Sequence, residues 1–301
     1  DPSKYRHDQP SRTLGVWVVE TSSVAAVIVT YNTPAVLSRA VDALLGSSQP
    51  PSHVVIVDNG STDTAALDAV EGRHSSIVVL RQDHNLGFCG ANNVGHQALP
   101  PTRYVLFVNP DAVVDADFLE GAVAYLDSHP NVGAVNPKLL TLDPVTLEPT
   151  GTIDCAGIFQ TRWGRVYDRG QGEVDRGQFD GDPENVPGLC GAALLARTAA
   201  LDDVAVNGQV FDERFFMYKE DLDLSYRLAA AGWRTVLLPH LDVFHCRGSR
   251  QVNRASIAPW VRRRSLANEW RLWRKGSVPA PLRARMFAYL IVKSVAVALG
   301  R

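Results

Sequence analysis

Three short apolar runs in this chain each break off on a polar cluster, and that spacing does most to limit its fold. Residues 24–30 end at Tyr31-Asn32, 54–57 at Asp58-Asn59, and 104–108 at Asn109-Pro110-Asp111. Continuously apolar, β-branched runs of this length read as strands buried on both faces. Between the first two, Val36, Leu37, Ala40, Val41, Leu44 and Leu45 lie on one helical stripe, with Pro34 placed for its first turn. Ser61-Thr62-Asp63 is expected to cap a helix reaching about residue 70. A third strand is expected at 77–80, and helices at 91–98 and 116–126. Strands alternating with helices imply βαβ units, and ligands of such sheets bind beyond the carboxyl ends of the strands. All three polar clusters sit at such ends.

The later chain is less regular. Residues 141–187 are rich in Gly, Pro and Asp and lack helical periodicity, so they read as a hairpin or loop excursion over the site. A strand follows at 189–196, an amphipathic helix at 221–231 closed by Gly232, and a strand at 235–239 leading to His245. Two helices are expected at about 256–274 and 281–299. The expected fold class is α/β, a mixed, mainly parallel sheet flanked by helices, with a basic helical C-terminal extension. Residues 1–23 read as a partly disordered lead and 24–250 as one domain with halves at 24–136 and 137–250. Residues 251–301 read as the extension.

Charge is strongly segregated. The net −2 hides thirteen Lys/Arg and one acid (Glu269) between Arg247 and Arg301. A tail this basic points to an anionic partner such as a membrane surface or a phosphorylated lipid. Arg262-Arg263-Arg264 flanked by Trp260, Trp270 and Trp273 suits a headgroup interface, while a basic helix pair packed on the core is the plainer alternative. Arg283, Arg285 and Lys293 interrupt the apolar stretch 282–299, so surface association is expected and a membrane span is not. No nucleic-acid motif accompanies the charge, and no nucleic-acid partner is expected. Cys89, Cys155, Cys190 and Cys246 form no Cys-x-x-Cys pair and read as reduced thiols. The polar start shows no signal-peptide pattern, so a cytoplasmic location on the inner membrane face is expected.

The clusters carry the chemistry. Asp111, just past a strand, can reach a metal without carrying charge into the core; otherwise Asn109-Pro110-Asp111 is a strand-ending turn. His245 would add a nitrogen, leaving places for diphosphate oxygens and water around Mg2+ or Mn2+. Asp58 and Asn59 suit a base edge or ribose, or simply a helix cap. The glycine-rich turn 83–95 opens a helix whose N-terminus could favour phosphate, or it is a tight turn needing Gly87. Glu220-Asp221 complement a helix dipole, and Asp221 could also serve as a general base. Phe215, Phe216, Met217 and Tyr218 could wall an acceptor pocket or belong to the core. No P-loop, dinucleotide fingerprint, nucleophile elbow or zinc cluster is present.

Six ordered motifs together resemble the family 2 inverting glycosyltransferases, in their bacterial rhamnosyltransferase-like branch. They are 27–32, 57–63, 85–95, Asn109-Pro110-Asp111, 211–224 and 227–233. The resemblance implies a GT-A fold, with a nucleotide-sugar-binding half joined to an acceptor-binding half. It further implies that Thr30, Tyr31, Asn32, Asp58 and Asn59 hold the nucleoside of a dTDP- or UDP-linked sugar. Asn85, Gly87, Asn93 and Asn109 would line the donor pocket, Asp111 and His245 would bind the metal, and Asp221 with Glu220 would supply the base. Asn109 replaces the first acid of the family's Asp-x-Asp. The implied reaction passes a sugar, best read as L-rhamnose, to a polyprenyl-diphosphate-linked saccharide in cell-wall or surface polysaccharide synthesis. Rival readings are a UDP-hexose or UDP-galactofuranose donor, a nucleotidyltransferase, and a non-catalytic glycan- or lipid-binding protein. The second lacks its Gly-rich, Arg-containing first loop.

Overall fold

The structure is a computed structural model that describes residues 24–32, 36–246, 258–276, 278 and 280–298. The lead at 1–23, Pro34 and the beginning of the helix expected from 256 lie outside the described residues. The first half alternates as its apolar runs dictate. It runs β1 (Val24–Thr30), α1 (Val36–Leu45), β2 (His53–Asp58), α2 (Ala65–Asp68), β3 (Ile77–Arg81), α3 (Gly87–Gln97) and β4 (Tyr104–Val108). Next come β5 (Ala112–Val114), α4 (Phe118–Ser128), β6 (Val132–Leu142), β7 (Pro149–Cys155), β8 (Ile158–Gln160), β9 (Val166–Asp168) and β10 (Glu184–Asn185). The rest is β11 (Ala193–Arg197), α5 (Thr198–Asp203), α6 (Glu220–Ala230), β12 (Arg234–His245), α7 (Pro259–Lys275) and α8 (Ala280–Ala298).

The main sheet has the order β10-β12-β6-β11-β4-β1-β2-β3. β3, β2, β1 and β4 are mutually parallel, as the βαβ reading requires. β11 then runs antiparallel between β4 and β6, and β12 lies parallel to β6. Several elements differ from the sequence expectation, α2, β12 and β6 among them. α2 begins just after the expected cap, with Asp63 Oδ1 accepting from the Ala65 amide, but it ends at Asp68, short of residue 70. β12 continues past Pro239 through a register shift between Leu238 and Asp242. β6 carries Asn136, Pro137 and Lys138 in mid-strand, which hid it from any apolar pattern. Asn136 and Lys138 are buried and satisfied there, Lys138 by Asp175 at 2.9 Å and Asp180 at 2.6 Å.

The 141–187 excursion is correspondingly ordered into β7, which pairs with β6, and the β8–β9 hairpin. All four cysteines are free. α7 and α8 add Leu272, Met286 and Leu290 to the central core, so the basic extension packs on the sheet domain. Trp270 and Trp273 meet edge-on at 5.7 Å between these helices, and their indole N–H groups donate to Ser294 Oγ and the Arg283 carbonyl. Only Trp260 of the expected headgroup aromatics is largely exposed, at 56%. No described helix is long and apolar enough to cross a membrane.

α3 begins at Gly87, four residues before the expected start at 91, with φ +75°. A Cβ there would lie 2.5 Å from the Phe216 carbonyl oxygen. Gly87→Ala should therefore cost about 2–4 kcal/mol, combining a left-handed backbone with a steric clash. A urea midpoint equal to wild type would contradict this.

Candidate active site

The carboxyl ends of β1 and β2 form one tied edge. Asn32, at φ +48°, accepts from the Thr62 and Asp63 amides, while its own N–H donates to Ser61 Oγ at 2.9 Å. Thr30 and Asp58 are buried, and Arg81 lies 3.9 Å from Asp58. The Tyr31 side chain stands half exposed at this edge.

Asn59, Asn85 and Asn93 have internal work. Asn59 Oδ1 accepts from the Leu86 amide at 2.7 Å, and its Nδ2 donates to Asn85 Oδ1 and the Gly87 carbonyl. Asn85 Oδ1 also accepts from the Gly87 amide at 2.8 Å. Asn93 Nδ2 and Oδ1 clasp the Phe211 carbonyl and amide, away from the Asn85 turn. The Cys89 amide donates to the Phe216 carbonyl. The Leu86, Gly87 and Cys89 amides at the N-terminus of α3 are thus engaged by protein acceptors, around a turn that Gly87 makes with a positive φ.

β5 pairs antiparallel with the end of β12, bringing His245 opposite Ala112. His245 Nε2 lies 3.2 Å from Asp111 Oδ1 and 3.2 Å from Asn109 Nδ2. On its other side Nδ1 meets the buried Asp154 at 2.8 Å. Burial alone would favour a neutral ring, but the Asp111 and Asp154 carboxylates outweigh it and push the imidazole up to about 10. With the Nε2 proton displaced, the Asp111 carboxylate and the His245 imidazole would form a donor pair for Mg2+ or Mn2+, with Asp154 steering the ring from behind. Among the described residues, no third His, Cys, Asp or Glu gathers with them into a ready cage. The pair therefore fits a cation whose remaining ligands come from diphosphate and water. Asp154 carries no sequence signal, because it falls within the irregular 141–187 stretch.

The second centre opens α6. Asp221 is half-buried; its Oδ1 accepts from the Leu222 amide at 2.8 Å and its Oδ2 from the Gly191 amide at 3.3 Å. Desolvation raises its pKa, with Lys219 opposing. Glu220 is buried with Oε2 lacking a partner among the described residues, and desolvation with the neighbouring Asp221 charge raises its pKa also. The loop before them is left-handed at Phe216, Tyr218 and Lys219, none of them glycine. Asn268, fully buried on α7, donates to the carbonyls of Phe215, Met217 and Tyr218 at 2.8 Å.

One short path joins the two centres. The Asn109 amide donates to the Ala192 carbonyl at 2.9 Å, and the adjacent Gly191 donates to Asp221. Asn136 fixes this segment from β6, accepting from the Cys190 amide while its Nδ2 donates to the Cys190 and Ala193 carbonyls. Gly191, Asn136 and Asn268 were not singled out in the sequence, and the strand that carries Asn136 showed no apolar pattern that could have pointed to it.

Comparison with known proteins identifies the family and the fold. The profile described as glycosyltransferase-like family 2 matches residues 22–264. An N-acetylglucosaminyl-diphospho-decaprenol L-rhamnosyltransferase of Mycobacterium tuberculosis is 30% identical over 75% of this chain and 76% of its own length. Galactofuranosyltransferase GlfT1 of the same organism is 27% identical over 70% of this chain and 66% of its own. A crystal structure of GalNAc-T7 with UDP, GalNAc and Mn2+ superimposes with a TM-score of 0.63 at 14% identity, over 86% of this chain and 52% of that one. The sheet is that of a GT-A fold, and the chain belongs to glycosyltransferase family 2.

Proposed function

We propose that this protein is an inverting glycosyltransferase that passes L-rhamnose from dTDP-rhamnose to a hydroxyl of an N-acetylglucosaminyl-diphosphate polyprenol, at the inner face of the cytoplasmic membrane. The observation that carries the reading is the Asn109–Ala192, Gly191–Asp221 path, which puts a metal-type donor pair and a candidate base on one sheet edge. The acceptor and the transferred sugar are taken from the rhamnosyltransferase relative's name, and the dTDP carrier from the sequence resemblance. Transfer of galactofuranose from a UDP-linked donor is the second reading, favoured by the GlfT1 likeness.

In this reading Tyr31 and Asp58 receive the nucleoside, with Thr30 and Asn32 shaping that edge. Asn59 and Asn85 hold the turn that forms the pocket floor. Asp111 and His245 would hold Mg2+ or Mn2+, which when bound neutralises charge growing on the departing diphosphate. Imidazole in the donor set favours Mn2+ over Mg2+. Asp221 accepts the proton of the attacking hydroxyl as the new bond to the anomeric carbon forms and the bond to the diphosphate oxygen breaks on the opposite face. Glu220, buried beside it, would hold a proton at neutral pH, so that negative charge concentrates on Asp221.

Asp221→Asn should lower kcat by ~10²–10⁴-fold, with the donor dissociation constant unchanged; full turnover would remove Asp221 from the role. Because Asp221 works ionised and its pKa is raised, kcat should fall on acidification at a pH above the ordinary carboxylate range. Glu220 also has a raised folded pKa, so its contribution to stability is present at low pH and lost as pH rises through that value. Glu220→Gln should therefore raise Tm at pH 9 but not at pH 4; equal shifts at both would contradict the assignment. Asp154→Asn should weaken Mn2+ binding ~10–100-fold, read by titration calorimetry with a dTDP-sugar present. A thermal-shift panel of dTDP- and UDP-sugars with Mn2+ decides the donor, and UDP-only stabilisation would overturn the rhamnose reading.

A further inference from the structure

We propose that a basic groove along α7 binds the diphosphate of a polyprenyl-linked acceptor, a step that rests on the acceptor class proposed above. One cavity of about 320 Å³ is lined by Trp260, Arg263, Arg264, Ala267, Asn268 and Arg271. A second, of about 840 Å³, is lined by Arg214, Ala267, Trp270, Arg271, Arg274 and Lys275. Ala267 and Arg271 line both, so the two adjoin as parts of one open groove, and among the described residues no carboxylate lines either part.

Arg263, Ala267, Arg271 and Arg274 recur at intervals of four, four and three residues, so they share a helix face. The small Ala267 leaves the space between the cations open. Arg214 and Lys275 are matched by Asp212, and Lys275 also by Asp223. Arg264, Arg271 and Arg274 instead lie over the rings of Phe216, Phe215 and Trp270, at 4.7, 5.6 and 5.7 Å. A guanidinium held by its face keeps N–H groups for oxyanion contact, and Arg271, which spends one on Asn268 Oδ1, retains the others. Several such groups around one groove fit two linked phosphoryl groups better than a single headgroup phosphate.

Both ends of the groove lead to the right places. Trp270 in its wall touches Phe287 of α8 at 5.9 Å. Phe287 begins an exposed apolar stripe with Ile291, Val292 and Val295, 45–69% exposed, suited to a prenyl chain. At the other end Asn268 is bonded to the carbonyl of Tyr218, three residues before Asp221. A diphosphate in the groove would thus have lipid on the α8 side and sugar on the side of the base.

The test compares wild type with Arg263→Ala/Arg274→Ala, two exposed sites without an ion-pair partner among the described residues. Calorimetry in a neutral detergent uses farnesyl diphosphate, with farnesol as control. Wild type should bind the diphosphate and not the alcohol, and the double variant should bind it ~10-fold or more weakly. Ala267→Trp, which changes no charge, should weaken it likewise by filling the groove. In turnover, the preference for a diphosphate-linked N-acetylglucosamine acceptor over its octyl glycoside should fall by a similar factor. Equal farnesyl diphosphate affinity in both proteins would overturn the proposal. So would a loss confined to binding of phosphatidylglycerol vesicles, which would make the groove a headgroup site. If wild type transfers no sugar to the lipid-linked acceptor yet the calorimetric difference holds, the acceptor reading fails and the diphosphate site stands.

Discussion

The site depends on one buried side chain, the amide of Asn136. It sits inside β6, where a polar group without partners would be costly, and it is satisfied by gripping the backbone of Cys190 and Ala193 across the gap to β11. That grip sets the path of residues 190–193, whose carbonyl and amide then hold Asn109 on one side and Asp221 on the other. A displaced segment would let the two centres separate, even with every proposed catalytic residue present.

A second constraint acts from α7. Three non-glycine residues before α6 adopt left-handed backbone, at a cost of about 1–3 kcal/mol each. Asn268 offsets this by binding three carbonyls of the loop, and the Cys89 amide binds a fourth. Lys275 adds ion pairs to Asp212 and Asp223 from the same helix. The basic extension is therefore part of the scaffold that presents Glu220 and Asp221, and its outer face remains available for an anionic ligand.

What the sequence revealed follows from range. β1, β2 and β4 and the polar residues at their ends were legible because burial on both faces writes a local apolar run. Asp111 and Asp221 were legible as carboxylates at element ends. Asn59, Asn85 and Asn93 were legible as positions but not as clamps, because their partners are set by a left-handed turn and by contact with residues 211–216. Asp154 and Asn136 were invisible, since each acts on a residue more than fifty positions away through strand pairings that no local pattern encodes. The same range applies at the N-terminus of α3, where Asn59 and Phe216, far off along the chain, take the Leu86 and Cys89 amides.

In the proposed reaction a single displacement transfers the sugar, with Asp221 taking the proton opposite the departing diphosphate. The anomeric configuration of the product, read from the one-bond carbon–proton coupling by NMR, tests it most directly. Inversion relative to the nucleotide sugar is the predicted result, and retention would contradict it.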